Sequence, residues 1–152
     1  MKYTNEMTLT FDAISQNEAF ARMVAAAFVS QLNPTIAGLT DVKTAVSEAV
    51  TNSIIHAYNE KGGKVTLYGK ISGNDLTFEV TDEGCGIADI KQAIEPLYTS
   101  KPGLERSGMG FTVMESFMDS MEVNSEPGKG TTVILRKNFA DENADVIFTY
   151  EK

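Results

Sequence analysis

The stretch "SEAVTNSIIHAY", residues 47–58, decides how the rest of the chain is read. Its apolar residues recur at helical spacing, yet Glu48 and Asn52 stand four positions apart among alanines, valines and isoleucines. At about 100° per residue, Val42, Val46, Ala49, Val50, Ser53 and Ala57 gather on one side of the helix, and Thr44, Glu48 and Asn52 on the other. Glu48 and Asn52 are then neighbours, about 6 Å apart at Cβ, on the face turned away from the densest packing. Ile55 shares that face, so something apolar or bulky is expected to cover it. Such a pair can be two surface residues one turn apart, and Asn is a mediocre helix former wherever it stands. The chemical alternative gives the Asn52 oxygen to Mg²⁺ and makes Glu48 the base. Mg²⁺ takes hard oxygen ligands, keeps several waters and is commonly shared with substrate phosphates, so one Asn and a triphosphate suffice.

Around this helix the hydropathy pattern sets out a single domain. The chain has 152 residues, 42% of them hydrophobic, enough for one core and too few for two comfortable ones. "EMTLTFDA", residues 6–13, alternates Met7, Leu9 and Phe11 against polar neighbours, the period of a half-buried strand. Ser15 stands three residues before Glu18 as a capping box, opening a helix to about Leu32 with Phe20, Val24, Ala27 and Phe28 on one face. A second helix is expected from Thr40 as N-cap, with Asp41 in the first turn, to about Tyr58. "KGGKVTLYGKI" and "LTFEVTD" around "SGND" read as a hairpin. Residues 83–110 are glycine-rich and long for a structureless connection, which favours a binding lid, with a short helix at 90–94. "FTVMESFMDS" fits a helix, and "MEVNSEPGKGTTVILRKN" fits two strands around a Pro-Gly-Lys-Gly turn. The expected fold class is α+β, a two-layer α/β sandwich whose mostly antiparallel sheet is covered by helices on one face. One domain over 1–140 and an acidic tail over 141–152 complete the expected organisation.

The net charge of −8 argues against a generic nucleic-acid surface, because phosphate neutralisation needs clustered Lys and Arg. Apolar runs such as "MVAAAFV", residues 23–29, fall far short of the roughly 20 residues that cross a bilayer, and no charged-then-apolar leader opens the sequence. A cytoplasmic protein without a membrane partner is expected. Cys85 is the sole cysteine, which excludes an internal disulfide framework and a multi-Cys zinc site, and the sole histidine, His56, adds nothing to a metal case.

Four further clusters carry candidate chemistry. In "DEGCGI", residues 82–87, a carboxylate is followed by two glycines at the end of a strand. This is either a tight turn or a place where backbone approaches a flat ligand whose amine donates to Asp82. Cys85 between the glycines reads as a small tolerated side chain. "RSGMGF", residues 106–111, exposes backbone N–H groups at a helix start, a ready phosphate site as well as a plain loop end. It is neither a Walker A loop nor a dinucleotide fingerprint. "PLYTSKPGLERSG" offers Thr99, Ser100, Lys101 and Arg106 as phosphate contacts, against solvated loop charges. "GKGTTVIL" places Thr131 and Thr132 at a strand start with one hydroxyl facing in.

Each signal is weak alone, but Glu48-x-x-x-Asn52, then Asp82-x-Gly84-x-Gly86, then Ser107-Gly-Met-Gly110, then Gly130-Thr-Thr resembles the nucleotide-binding boxes of the GHKL superfamily. That superfamily includes gyrase, histidine kinases and MutL, and its Bergerat ATP-binding fold has the element order read above. "SEAVTNSIIHAY" and "PLYTSKPGLERSGMGFTVMESFMD" look more narrowly like the anti-sigma F family of serine kinases, related to the RsbW-type anti-sigma proteins. The resemblance implies a protein serine/threonine kinase using ATP, releasing ADP, and requiring Mg²⁺. Glu48 would be the catalytic base, Asn52 the metal ligand and Asp82 the reader of the adenine amine. Gly84 and Gly86 would make room for the base beside Ile87, and Ser107, Gly108, Met109, Gly110 and Phe111 would form the phosphate cradle. Thr99, Lys101, Arg106 and Thr131 complete the implied nucleotide site, with Lys101 or Arg106 neutralising charge as the lid closes. The implied partners are a sporulation sigma factor of the sigma F kind, an anti-anti-sigma protein that supplies the serine, and a second copy of the chain. The first helix, through Glu18 and Arg22, would be a contact surface of that homodimer. ATP would favour the sigma complex and ADP the anti-anti-sigma complex. Without a separate phosphoacceptor or transducer domain, a freestanding minimal kinase is expected. The alternatives are an RsbW-like stress-response kinase and a binding module that uses ATP only to set its shape.

Overall fold

In the computed structural model, described here over residues 2–57, 62–95 and 110–140, five strands form one sheet in the order β1-β2-β3-β5-β4. The strands are β1 (Thr4–Asp12), β2 (Lys64–Ser72), β3 (Asp75–Asp82), β4 (Ser120–Glu126) and β5 (Gly130–Asn138). Every neighbouring pair is antiparallel. The helices are α1 (Gln16–Val29), α2 (Ile36–Asn52), the short α3 (Ile90–Ile94) and α4 (Gly110–Phe117). This is the expected two-layer α+β sandwich, and the element order is the one the periodicities predict.

The layering follows from the period of two along each strand. Val65, Leu67 and Ile71 of β2, Leu76, Phe78 and Val80 of β3, and Val133 and Leu135 of β5 all point to one face and are buried. The opposite face carries Thr10, Thr66, Thr81 and Thr132, joined in pairs by hydroxyl contacts of 3.0 Å and 3.1 Å. On the buried face the Phe28 ring of α1 tilts against Phe78, with centroids 5.9 Å apart. Gly69 lies beneath both rings: a β-carbon there would stand 2.9 Å from Phe78 Cε1 and 3.0 Å from Phe28 Cε2. The helix layer thereby sits close to the sheet, and α2 is held between α1 and α4.

Three sequence expectations are corrected. α2 begins one turn earlier than Thr40: Thr35 is its N-cap, and its side chain accepts from the Gly38 amide at 3.0 Å. Thr35 follows Pro34 and is extended, as a cap residue requires, whereas Thr40 is interior and in helical register. The capping box at Ser15 does not form, because Ser15 is itself in the helical region and makes no side-chain cap bond. Glu18 turns instead toward α2, where its carboxylate accepts from the Ser47 hydroxyl, and it lies 3.7 Å from Arg22. The buried face of α1 is also displaced from the expected one. It consists of Ala21, Ala25, Phe28 and Val29, while Phe20 is 49% exposed and Ala27 lies outside. Two alanines at helical spacing let α1 and α2 approach closely, an advantage that side-chain bulk alone does not reveal. The expected helix end at Tyr58, the lid positions 96–109 and the tail 141–152 lie outside the described residues.

Candidate functional site

The C-terminal end of α2 is where the candidate residues meet. α2 runs regularly to Asn52 and then changes to one π-helical turn, Ser53–Ala57. Such turns widen the helix and redirect its last carbonyls. Here the Ala57 carbonyl leaves the helix and accepts from the Cys85 amide at 2.9 Å. The loop after β3 is thereby attached to the helix that carries Glu48 and Asn52. No residue type in "SIIHA" marks this turn, and the sequence reading does not anticipate it.

Glu48 and Asn52 face the start of α4. A β-carbon on Gly110 would stand 3.1 Å from Glu48 Oε2 and 3.4 Å from both the Nδ2 and Oδ1 atoms of Asn52. Gly110 therefore keeps the space before this polar pair clear, which explains the Ser107-Gly-Met-Gly110 box at its one described glycine. The donor set, a carboxylate and a carboxamide oxygen, suits a hard cation such as Mg²⁺. Among the described residues no group of three or more His, Cys, Asp or Glu could hold a metal by itself. A divalent ion at Asn52 would thus depend on phosphate oxygens for further ligands. Phe111, the next residue, packs its ring against the hydrophobic core, so it can serve a phosphate only through its backbone.

Asp82 lies at the same end, 5% exposed, at the end of β3. Its Oδ2 accepts from the Ser53 hydroxyl at 2.9 Å and its Oδ1 from the Gly84 amide at 3.0 Å. Burial raises its pKa above the ordinary carboxylate value, opposed by hydrogen bonds from the Gly84 backbone, the Ser53 side chain and the Thr131 backbone. A carboxylate offers about four acceptor directions, so with these three hydrogen bonds made one remains for a donor on a bound ligand. Ser53 links the two groups, since it follows Asn52 directly and holds Asp82. A hydroxyl on the packed face of α2 is the sequence signal for this role.

The glycines beside Asp82 answer to the fold itself. A β-carbon on Gly84 would lie 2.4 Å from the Ala57 carbonyl oxygen, and one on Gly86 would lie 2.0 Å from that of Glu126. The chain's own backbone thus fills the clearance expected for a nucleotide base. These glycines act by seating the loop that presents Asp82. Ile87 is held by its amide, which donates to Ser125 Oγ at 2.8 Å. Thr131 is the inward of the two threonines: it is buried, and its hydroxyl lies 2.8 Å from Ser125 Oγ. Cys85 is exposed, with Sγ 3.4 Å from the His56 carbonyl. Glu48, Asn52, Asp82, Gly84, Gly86, Ile87, Gly110, Phe111 and Thr131 are therefore gathered around one end of the α2 and β3 elements. Thr99, Lys101, Arg106, Ser107, Gly108 and Met109 lie outside the described residues.

The family described as "Histidine kinase-like ATPase domain" matches residues 12–137. A protein of Clostridium acetobutylicum named "Anti-sigma F factor" is 61% identical over 136 residues, covering 90% of this chain and 95% of the relative. The chain belongs to the anti-sigma F factor family. A Thermoanaerobacter protein of the same name is 59% identical over 137 residues, covering 96% of its length. Among solved structures, the RsbU and RsbW domains of a Mycobacterium tuberculosis protein superpose with a TM-score of 0.64 at 16% identity. They match 88% of this chain and 32% of the larger one. That likeness concerns the fold and agrees with the two-layer architecture. An anti-sigma F family member with a histidine kinase-like ATPase domain is expected to bind nucleotide, and the four boxes of this chain lie inside the matched segment.

Proposed function

We propose that this chain is an anti-sigma factor that holds a sporulation sigma factor of the sigma F kind inactive. It also uses Mg-ATP to phosphorylate a serine on an anti-anti-sigma protein. The observation that carries the catalytic half is the placement of Glu48 and Asn52 together against Gly110, at the helix end where Ser53 secures Asp82. A base, a metal ligand and an adenine reader would then stand on one rigid helix–strand junction.

In this reading Asp82 accepts from the adenine amine, and Asn52 contributes its oxygen to Mg²⁺. The bound ion would neutralise phosphate charge. Glu48 accepts or orients the proton of the partner's serine hydroxyl as that oxygen attacks the γ-phosphoryl group and ADP leaves. Positioning and charge stabilisation supply most of the rate in such transfers. Thr99, Lys101, Arg106 and the Ser107–Gly108–Met109 run, all outside the described residues, would supply the remaining phosphate contacts, and Thr131 would support the base side.

The 61% identity to a protein named "Anti-sigma F factor" favours a sporulation sigma factor over a stress-response one. Pull-down from the native cell is expected to recover a sporulation sigma factor, and recovery of a stress-response sigma factor instead would overturn the assignment. A homodimer is part of the proposal. The outer face of α1 supports it, since Phe20 is 49% and Met23 63% exposed there. Cytoplasmic work on protein partners is also part of the proposal; among the described residues no helix is long and apolar enough to cross a membrane. Glu48→Gln separates a kinase from a binding module. Mg-ATP affinity is expected to persist while phosphate incorporation into the partner serine is lost, and equal incorporation by both proteins would remove Glu48 as the base.

A further inference from the structure

Ser125 belongs to none of the boxes, yet it joins two of them. It lies in β4 opposite Thr131 of β5. Its hydroxyl receives the Ile87 amide at 2.8 Å, and it lies 2.9 Å from the Gly130 carbonyl and 2.8 Å from the Thr131 hydroxyl. The Gly130 carbonyl can only accept, so the one Ser125 proton goes there and Thr131 must donate to Ser125. One donor and two acceptors are thereby all used.

These bonds bracket Asp82. On one side the loop 83–87 is held at the Cys85 carbonyl by the Gly128 amide, 2.7 Å, and at the Ile87 amide by Ser125. On the other side Thr131, whose backbone hydrogen-bonds Asp82, is held by its side chain to the same Ser125 oxygen. The β4–β5 hairpin also abuts the loop, since Gly130 lies against the Asp82 carbonyl and Gly86 against the Glu126 carbonyl. Ser125 is the side-chain link common to both walls of the Asp82 carboxylate. In β4 it follows the inward phase of Met121 and Val123, where an apolar residue would suit a merely structural strand.

We infer that Ser125 is a positioning residue for base recognition: without touching the nucleotide, it fixes Asp82 and the loop 83–87 so that a purine with an amino group at C6, rather than a 6-oxo purine, is preferred. The inference rests on the proposed ATP site. Loss of the hydroxyl would let the Ile87 amide and Thr131 reorient, loosening the alignment of Asp82 while leaving Glu48 and α2 in place.

The test measures ATP and GTP binding by calorimetry, and kinase KM and kcat, for wild type, Ser125→Ala and Ser125→Thr. Ser125→Ala is expected to weaken ATP binding about five- to tenfold, the worth of one hydrogen bond, with GTP binding little changed. Discrimination between the two nucleotides shrinks by that factor, KM for ATP rises, and kcat at saturating ATP holds. Ser125→Thr, which keeps the hydroxyl, restores the preference. An unchanged ATP/GTP ratio in Ser125→Ala would overturn the positioning role. A wild-type chain that binds ATP no better than GTP would overturn the adenine-reading assignment itself, and this inference with it. Should Ser125→Ala melt below the assay temperature, Ser125→Cys, with its poorer acceptor, gives the same comparison.

Discussion

Replacing Asp82 by Asn tests the centre of the proposed site, because the change removes a charge and one acceptor while conserving shape. Asp82 is 5% exposed, with one oxygen on the Gly84 amide and the other on the Ser53 hydroxyl. In the variant the retained oxygen can keep Gly84, and the new amide can donate to Ser53, whose hydroxyl rotates to accept. Removing a desolvated charge offsets the weaker hydrogen bonds, so the melting temperature is expected to stay within about 4 °C of wild type. Binding is different, because the amide group presents hydrogens where an adenine amine needs an acceptor. A hydrogen bond to a charged group contributes about 1.5–3 kcal/mol, so Mg-ATP affinity should fall about 10- to 150-fold. Burial, the largest influence, raises the Asp82 pKa above 3.8, so the folded state holds this proton to higher pH than the unfolded state does. The associated stability is full below the unfolded pKa and is lost as pH rises through the folded pKa. Wild type should therefore gain stability relative to Asp82→Asn as pH falls through that window. Calorimetric titration with Mg-ATP, paired with circular dichroism melts across the acid range, reads both effects. Unchanged ATP affinity in a folded variant would refute Asp82 as the adenine reader.

The backbone contacts allow two sharper stability predictions. Gly130→Ala places a methyl 2.1 Å from the Asp82 carbonyl at φ 88°, whereas Gly128→Ala has φ 78° and nothing within 4 Å. The first should cost about 2–5 kcal/mol in urea melts and the second only about 1–2 kcal/mol of backbone strain. Equal losses would show that steric closeness at Gly130 is unimportant. Thr35→Ala should cost about 1 kcal/mol by removing the α2 cap, and a matching Thr40→Ala should cost less. A reversed order would contradict the observed start of α2.

The fold was largely legible because its strands alternate cleanly and its turns carry Gly, Pro, Asn and Asp. What the sequence concealed was local competition between neighbours. Ser15 and Glu18 have the spacing of a capping box, but Ser47 on α2 offers Glu18 a tertiary partner, and the helix starts without the box. Thr40 and Asp41 look like a helix start, yet Thr35 lies just after Pro34, is extended, and reaches the Gly38 amide first. On α1, side-chain bulk is a poor guide to the buried face. Phe20 and Val24 suggest a buried face by hydrophobicity, whereas Ala21 and Ala25 occupy it because closeness to α2 favours small side chains.

At the site, the spacing of the boxes is more informative than the base clearance expected of Gly84 and Gly86. Gly84, Gly86 and Gly130 are spaced as a ligand site would require, but what presses on them is carbonyl oxygen from Ala57, Glu126 and Asp82. Three segments distant in sequence, the π turn, the loop 83–87 and the β4–β5 hairpin, are packed backbone to backbone there. A side chain at any of the three would push its neighbour away and displace Asp82 with it. Gly110 differs, for what it faces is the polar side chains of Glu48 and Asn52 rather than backbone. The motif therefore combines two demands: three glycines hold the carboxylate in place, and a fourth keeps clear the space before Glu48 and Asn52, the proposed base and metal ligand. Substitution at the first three should lower stability and nucleotide affinity together, whereas substitution at Gly110 should lower phosphoryl transfer well before it lowers stability.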